Sequence, residues 1–271
     1  MRIGIGVPTR NRPYHLPLLL SALLRQDHRE WDLVIVNDWD REEDLLEHPK
    51  VTKLVGMMRE QGHEVQIAKG IRRGPPFAHN IAMRSLSHDL ILRIDDDQFP
   101  QPDFLTRLCE PFLQDSEGRI GAVGGVYPPV DYTISWAPAA ERHRRNLSFA
   151  QPFLQLCWHK NNSWYLTDSL HSSFLYRREA VEKAGGFPEC YSEAGSTEET
   201  DTSLRIRQAG YWLLVVTGAV AWHFMSETGG LRDLDRLEEL RRSDDQVFKA
   251  RFNGIDLWKV GGGMRLIARR D

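Results

Sequence analysis

Hydrophobic residues recur along the first half of the chain in two alternating patterns. Short runs that are continuously apolar, typical of buried strands, occur near residues 3–7, 33–36 and 90–94. Segments with apolar residues at helical spacing lie between or beside them, for example at residues 14–25 and 76–86. This alternation of strands and helices predicts an α/β domain, in which a mostly parallel sheet carries helices on both faces.

The second half of the chain is patterned less regularly. Residues 131–168 are rich in aromatic side chains but show no clear period. Helices are predicted for residues 178–184 and 197–209, because each segment ends at a glycine, and an apolar strand is predicted for residues 211–222. Charged residues predict a further helix at residues 231–242. These elements follow one another without the regular alternation of the first half.

Polar residues follow three of the predicted strands. Thr9 and Arg10 follow the first strand, Asp38 ends the second, and the run Asp95–Asp97 follows the strand at residues 90–94. Ligands bind beyond the carboxyl ends of the strands in open parallel sheets, so we expect these side chains to converge. Three adjacent carboxylates repel one another unless a cation such as Mg²⁺ or Mn²⁺ neutralises them. A metal–diphosphate site and a solvated acidic turn both fit the run when it is taken alone.

Composition and charge exclude few functions. The 271 residues carry a formal net charge of −3, so no overall charge favours nucleic acid or an anionic membrane as a partner. No apolar run is long enough to span a bilayer, and the N-terminal segment lacks the pattern of a signal peptide. The three cysteines lie far apart and form no C-x-x-C pair. We therefore expect a soluble, cytoplasmic protein.

A series of segments resembles the family 2 glycosyltransferases of the GT-A fold. The resemblance depends on the order and spacing of the segments and covers residues 2–224, with His79 standing where the family usually has arginine. The segments are residues 7–13, 34–38, 73–80, 94–97, 174–180 with 185–187, 197–205 and 222–223. The resemblance implies a Rossmann-like GT-A sheet in a single domain, with a helical extension after it.

The domain boundaries follow from the same resemblance. It implies a GT-A domain at residues 1–224, made of a nucleotide-binding half at 1–100 and an acceptor-binding half at 101–224. Residues 225–271 form a C-terminal extension outside the resemblance. Closing over the donor, shaping the acceptor site, homo-oligomerisation and a purely solvated cap all stay open as roles for this extension.

The resemblance also implies a donor site with a divalent metal, Mn²⁺ or Mg²⁺. The implied metal ligands are Asp97, His223 and Asp95, and the metal stabilises the diphosphate as it leaves. The implied contacts to the nucleotide sugar are Pro8, Thr9, Arg10, Asp38, Arg73, Asp95 and Asp96. On a regular strand Asp96 points away from its two neighbours. Ordinary structural roles, such as a turn for Asp38 or a solvated basic residue for Arg73, also fit.

Glu199 is the predicted general base, and Glu198 is the alternative. The family has aspartate at the position of Glu199, so the additional methylene group changes where the carboxylate lies. Residues Ser196 to Glu199 also match a capping box, with Ser196 as the N-cap and Glu199 three residues later. Either acid can act as base only within hydrogen-bonding distance of the acceptor hydroxyl.

The implied activity is that of a metal-dependent, inverting glycosyltransferase of the hexosyl- or N-acetylhexosaminyl-transferase type. Its donor is a nucleotide diphosphate-sugar, with a UDP-sugar favoured, and its acceptor is a hydroxyl group of unknown origin. A nucleotidyltransferase is one alternative, although that class has a glycine-rich loop and a lysine where this chain has residues 8–11. A binding protein without transferase activity and a retaining transferase of the same fold are the others.

Overall fold

The structure is a computed structural model that describes residues 1–128, 162–167, 169–224, 229–230, 236–252 and 266–268. The strands are β1 (Ile3–Thr9), β2 (Trp31–Asn37), β3 (Val65–Lys69), β4 (Leu90–Arg93), β5 (Gln98–Pro100), β6 (Ile120–Val126), β7 (Trp164–Thr167), β8 (Phe174–Arg177), β9 (Trp212–His223) and β10 (Leu266–Ala268). The helices are α1 (His15–Leu23), α2 (Glu42–Leu46), α3 (Pro49–Glu60), α4 (Pro75–Ser85), α5 (Phe104–Gln114), α6 (Arg178–Lys183), α7 (Glu198–Gln208) and α8 (Leu237–Arg251).

One sheet organises the described part of the chain, with strand order β10-β7-β9-β6-β8-β4-β1-β2-β3. The four strands β3, β2, β1 and β4 are consecutive parallel neighbours. Strands β8 and β7 pair antiparallel with their neighbours, so they run against the others in this row. The short β5 pairs antiparallel with the end of β9. The prediction of a mostly parallel sheet is therefore confirmed.

Helices cover both faces of this sheet, as predicted. Leu33 and Ile35 of β2 belong to one buried cluster, to which α1, α3 and α5 contribute. Val34 and Val36 belong to the opposite cluster, with residues of α4, α6 and α7. Both faces of the strand lie in apolar surroundings, which explains why its sequence is a continuous apolar run instead of an alternating one.

The last described helix, α8, ends at Arg251, so the predicted end at residue 242 is wrong. Phe248 lies in the later turns of α8 and packs with Tyr191 and Leu204 in a small separate core. The charged sequence does not predict this packing, because the buried side of the helix has few apolar residues. Residues 231–235, where the helix was predicted to begin, lie outside the described part of the chain.

The aromatic-rich segment at residues 131–168 lies mostly outside the described residues, but its last part forms β7. β7 lies between β9 and β10 near the sheet edge, where it was not predicted. Among the helices that the structure describes, none combines the length and the apolar character required to cross a membrane.

Three strand ends meet at one edge of the sheet. In the parallel register, Thr9 at the end of β1 lies beside Asn37 at the end of β2, and Gly6 lies beside Arg93 at the end of β4. Asp38 and the Asp95–Asp97 run directly follow β2 and β4. The predicted convergence of these side chains therefore follows from the strand order itself.

Candidate functional site

A cleft of about 700 Å³ opens at this edge of the sheet. Of the predicted site residues, all of which the structure describes, only Arg73 is not part of the lining. The predicted residues that line the cleft are Pro8, Thr9, Arg10, Asp38, Asp95, Asp96, Asp97, Glu198, Glu199 and His223. The structure therefore brings the predicted donor, metal and base residues into one cavity.

Two acids and a histidine form a compact group of possible metal ligands. One ligand atom from each of Asp95, Asp97 and His223 lies within 4.8 Å of the others, and Nε2 of His223 lies 3.2 Å from Oδ1 of Asp97. Pairing of β5 with β9 places Gln98 beside His223, and the Phe224 N–H donates to the Asp97 carbonyl. Carboxylate oxygens with one imidazole are a donor set that fits a divalent cation such as Mn²⁺ or Mg²⁺.

Two consecutive serines hold Asp95. Oγ of Ser172 donates to Oδ2 of Asp95 over 2.6 Å, and the Asp95 N–H donates to Oγ of Ser173 over 3.1 Å. The side-chain amide of Gln98 donates in turn to Ser172. Such outer partners fix the orientation of a ligating carboxylate. Sequence reasoning missed both serines, although they directly precede β8, which pairs with the acid-bearing β4.

Arg12 contacts the last two acids of the run, Asp96 and Asp97. Its Nη1 is 2.7 Å from Oδ1 of Asp96 and 2.7 Å from Oδ2 of Asp97, so both acids contact the same guanidinium. The expectation that Asp96 points away from Asp97 is therefore wrong. β4 ends at Arg93, and the acids form a turn in which the two-residue period of a strand does not hold. Burial raises the pKa of Asp96, whereas the Arg12 charge opposes that rise.

Asp38 is built into the cleft wall. Its Oδ1 accepts a hydrogen bond of 2.9 Å from the Arg72 backbone N–H. Gly70 makes room for this carboxylate, because a Cβ added there would lie 1.8 Å from Oδ1 of Asp38. Burial raises the pKa of Asp38, and the hydrogen bond from Arg72 partly opposes the rise. A fully solvated turn does not describe this residue.

Arg73 and its neighbour Arg72 lie on different sides of the chain. Arg73 is exposed, and its guanidinium carbon lies 4.1 Å from the centre of the buried Phe77 ring of α4. Arg72 instead lines the cleft, and its φ of 54° turns the backbone between the two arginines. Of these two arginines, Arg72 therefore lines the cleft, whereas the prediction named Arg73.

Thr9 and Arg10 extend from β1 into the cleft. Oγ1 of Thr9 accepts a hydrogen bond of 3.2 Å from the indole N–H of Trp39. The Arg10 guanidinium lies 3.4 Å from Asp40 and 3.7 Å from Glu193. Because Glu193 belongs to the loop before α7, Arg10 connects the strand end with the segment that carries the candidate base.

Glu198 is held in a buried ion pair. Both of its carboxylate oxygens accept hydrogen bonds from Arg93, at 3.0 and 2.7 Å, and both side chains are almost completely buried. The rings of Phe174 and Phe187 lie 5.2 and 5.3 Å from the guanidinium carbon. Burial raises the pKa of Glu198, and the charge of Arg93 opposes that rise. This bidentate contact makes Glu198 a structural partner of β4.

Glu199 instead faces the cleft and contacts a histidine. Its Oε1 lies 3.0 Å from Nδ1 of His171, and the His171 side chain is 48% exposed. Burial by itself raises the pKa of Glu199, but the hydrogen bond and charge of His171 and the charge of Arg93 lower it overall. Glu199 is therefore ionised near neutral pH and its carboxylate is partly exposed at the cleft, whereas the Glu198 carboxylate is almost completely buried against Arg93.

The capping-box explanation of Glu199 is wrong. α7 begins at Glu198, and Thr197 before it has a φ of 65° with no described side chain capping the helix. The preceding loop is held from α8 instead. Asp244 accepts hydrogen bonds from the Ser192 N–H at 2.7 Å, the Ser192 hydroxyl at 2.9 Å and the Ser196 N–H at 2.8 Å. Asp244 therefore accepts the hydrogen bond from the Ser196 N–H that the capping box assigned to the Glu199 side chain.

The C-terminal helix forms part of the cleft wall. Arg251 at its end contacts Asp201 of α7 over 2.5 Å, and Asp201 also forms the predicted pair with Arg205. The residues of α8 that line the cleft are Leu237, Glu238, Arg241, Arg242 and Asp245. α8 is therefore built into the site.

Sequence comparisons identify one family. The family model described as glycosyl transferase family 2 matches residues 5–185. A sequence comparison with curated proteins finds no match.

Solved structures with the same fold have low sequence identity to this chain. GalNAc-T7 with UDP, GalNAc and Mn²⁺ superposes with a TM-score of 0.62 at 15% identity, over 83% of this chain and 44% of that one. TarS 1–349 of S. aureus in complex with UDP-GlcNAc gives 0.61 at 15%, over 92% and 67%. The mannosyltransferase PcManGT from Pyrobaculum calidifontis, in complex with GDP-Man and Mn²⁺, gives 0.58 at 19%, over 85% and 59%.

This chain spans about three fifths of PcManGT and of another TarS 1–349 structure. At these identities the similarity establishes the fold, which is the GT-A type predicted from the sequence. The family match extends over more than half of the chain and includes the strand ends that carry Asp38 and the acidic run. The chain therefore belongs to glycosyl transferase family 2.

Proposed function

We propose that the protein transfers a sugar from a nucleoside diphosphate-sugar to a hydroxyl group, with a divalent cation and with inversion at the anomeric carbon. The observation that carries this proposal is the meeting of two kinds of site in one cleft. The possible metal ligands Asp95, Asp97 and His223 lie in the same cavity as the ionised carboxylate of Glu199. One group suits a diphosphate, and the other suits an attacking hydroxyl.

The donor is proposed to bind along the ends of β1, β2 and β4. Asp38 is positioned to accept the imide N–H of a uracil base, which makes a UDP-sugar the favoured donor. Thr9 and Arg10 extend from the neighbouring strand and line the nucleoside side of the cleft. Structures of the same fold hold UDP-GlcNAc, GDP-Man or UDP, which supports a nucleotide sugar here. A hexose and an N-acetylhexosamine both fit this proposal.

Asp97, His223 and Asp95 are proposed to hold Mn²⁺ or Mg²⁺. When bound, the cation supplies Lewis-acid stabilisation to the departing diphosphate. Ser172 and Ser173 orient Asp95, and the Arg12 guanidinium contacts the carboxylates of Asp96 and Asp97. Each of the three adjacent acids therefore has a fixed partner in the protein, whereas carboxylates in a solvated turn would not keep a fixed orientation.

Glu199 is proposed to act as general base. The acceptor oxygen forms a bond to the anomeric carbon while the bond from that carbon to the phosphate oxygen breaks. The diphosphate leaves with the electron pair, and Glu199 takes the hydroxyl proton. Direct displacement of this kind inverts the anomeric configuration. Glu198 does not fit this role because both of its oxygens accept hydrogen bonds from Arg93.

The experiment that tests the donor site is calorimetric titration of UDP, GDP, dTDP and CDP in Mn²⁺, in Mg²⁺ and in EDTA. We expect one diphosphate, UDP, to bind in the presence of metal and to lose its affinity in EDTA. Uridine and UMP serve as controls, since they carry the base without the diphosphate. If no diphosphate binds in any condition, the proposed donor site is wrong.

Transfer itself is tested separately from binding. Incubation with the UDP-sugar that binds should release UDP slowly even without acceptor, whereas a protein that only binds would leave the donor intact. NMR spectra of a transferred product should show the inverted anomer, and retention would contradict the proposed base mechanism. Formation of a nucleotide sugar from a sugar phosphate and UTP would instead indicate a nucleotidyltransferase.

A further inference from the structure

His171 lies between the candidate metal ligands and the candidate base. It precedes β8 and immediately precedes Ser172, whose hydroxyl contacts Asp95. On its other side, Nδ1 of His171 lies 3.0 Å from Oε1 of Glu199. Both His171 and Glu199 line the cleft. One short segment therefore contacts a candidate metal ligand and the candidate base.

We propose that His171 is a positioning residue for the base: Nδ1–H donates to Oε1 of Glu199 and leaves the second carboxylate oxygen for the acceptor hydroxyl. The inference rests on the proposed function. It goes beyond that function because His171 lies in none of the short motif segments on which the family resemblance depends, and the resemblance implies no role for it.

Glutamate needs such a contact more than aspartate does. Its side chain has one more rotatable bond, so an unrestrained carboxylate samples more orientations and loses more entropy when it is fixed. The start of α7 supplies no capping interaction from the described side chains that would hold Glu199. Arg93, a buried cation whose charge acts on Glu199, is bound to both oxygens of Glu198. Among the described side chains, His171 therefore supplies a direct contact that orients the Glu199 carboxylate.

The backbone before β8 fixes His171 in turn. Ser172 has a φ of 60°, and its hydroxyl accepts a hydrogen bond of 2.7 Å from Gln98 while it donates to Asp95. Gln98 belongs to β5, which pairs with the strand that carries His223. The position of the base is therefore tied to the position of the proposed metal ligands through one hydrogen-bonded segment.

The electrostatics agree with this geometry. Burial by itself lowers the pKa of His171, but its contact with Glu199 and the nearby charge of Asp95 raise it overall. The charged groups that act on Glu199 include, among the described residues, His171, Arg93 of β4 and the adjacent Glu198. Because His171 lowers the pKa of Glu199, its removal should raise that pKa and cause the base to become protonated at higher pH.

The test compares His171→Ala with His171→Asn, with His28→Ala as the control. His28 lies before β2, at the end of the sheet opposite the cleft. We expect His171→Ala to lower kcat for transfer by about 10²-fold, the cost of a misplaced reacting group, with the UDP affinity in Mn²⁺ unchanged. The acidic limb of its pH–rate profile should move to higher pH. Asparagine presents an N–H near the position of Nδ1–H, so His171→Asn should recover most of the lost rate.

Glu199→Gln, measured in parallel, distinguishes a failure of the proposed base from a failure of the proposed role of His171. If Glu199→Gln retains full transfer, Glu199 is not the base and both the mechanism and the role of His171 are wrong. If Glu199→Gln is inactive while His171→Ala transfers at the wild-type rate, the base is correct and the inference about His171 is overturned. Equal loss in His171→Ala and His171→Asn would also overturn it, because the hydrogen bond would then not explain the effect. Thermal melts confirm that each variant is folded.

Discussion

The proposed donor side of the cleft and its proposed base side are built in different ways. The proposed donor side includes Thr9 at the end of β1, Asp38 directly after β2 and Asp97 in the turn after β4, and parallel pairing brings these three strand ends together. The base side depends on contacts from distant parts of the chain, since Glu199 contacts His171 and its loop is held by Asp244. Strand pairing thus brings the proposed donor-side residues together, with Ser172 and Arg12 holding the acids in place, whereas the proposed base side depends on long-range polar contacts for its position.

The adjacent acids at the start of α7 sharpen this contrast. Glu198 turns inward to Arg93 at the end of β4 and connects the base side to the sheet. Glu199 turns outward to His171 and the cleft. Glu198 therefore connects α7 to the sheet, and Glu199 is the residue proposed to act in the reaction. Variants that separate stability, donor binding and transfer should resolve these two roles.

The largest expected effect is on transfer in Glu199→Gln. Loss of the general base should lower kcat by a factor of about 10² to 10⁴, with the UDP affinity in Mn²⁺ close to that of the wild type. Kinetic assays with donor and acceptor and calorimetric titration of UDP give the two numbers. Glu60→Gln, an exposed substitution on α3, is the matched control. A parallel fall in UDP affinity would mean that the donor and base sides are not separable.

The next effect is on stability in Arg93→Met. This change leaves Glu198 as an uncompensated buried acid, and removal of one partner of a buried ion pair costs about 3–5 kcal/mol. Denaturant unfolding should show this loss, and the double variant Arg93→Met, Glu198→Leu should recover most of it. The exposed pair of Lys183 and Glu179 provides the control, because its removal should change the free energy of unfolding little. An unfolding free energy close to the wild-type value for Arg93→Met alone would contradict the proposed connection.

Gly70→Ala tests the donor side. The new Cβ would lie 1.8 Å from Oδ1 of Asp38, so the carboxylate has to move and lose its contact with the Arg72 N–H. We expect UDP affinity to fall by about tenfold or more, because a hydrogen bond to a charged group contributes about 1.5–3 kcal/mol. Gly56→Ala is the control, since nothing lies within 4 Å of a Cβ placed there. Calorimetry that finds equal UDP affinity for both variants would remove Asp38 from the nucleotide site.

The smallest expected effect is local and belongs to the base side. Asp244→Asn weakens three hydrogen bonds to the loop before α7, which should cost about 1–3 kcal/mol. Hydrogen exchange should accelerate at residues 192–197, while protection in β1 and β4 stays unchanged. If exchange increases equally throughout the sheet, α8 stabilises the whole domain and does not specifically hold the base side.

The sequence predicted the donor side well because its information is local. Continuous apolar runs predicted the parallel strands, and the position of a polar residue at a strand end predicted its place at the cleft. The two residues whose positions were predicted wrongly lie in turns that follow the ends of strands. Asp96 follows the end of β4, where alternation stops, and Arg73 follows a residue with positive φ, where the direction of a side chain depends on the turn.

The base side was harder to predict because its determinants are distant in sequence. His171 lies 28 residues before Glu199 and shares no helix or strand with it. The carboxylate of Asp244 replaced the predicted capping box, and Phe248 extended α8 past the predicted end. Each of these contacts requires the folded arrangement of α7 and α8. A local pattern such as S-x-x-E can therefore match where a long-range contact determines the structure.

The most direct test of the account is calorimetric titration of UDP into the wild type and Asp97→Ala, each in Mn²⁺ and in EDTA. Asp97 contacts both His223 and Arg12, so its loss removes a proposed metal ligand from the donor side and leaves Glu199 in place. Asp44→Asn, on the exposed side of α2, is the control. We predict metal-dependent binding in the wild type and the control and none in Asp97→Ala. Binding of UDP that is equally tight in EDTA, or unchanged in Asp97→Ala, would contradict the proposed metal-dependent donor site.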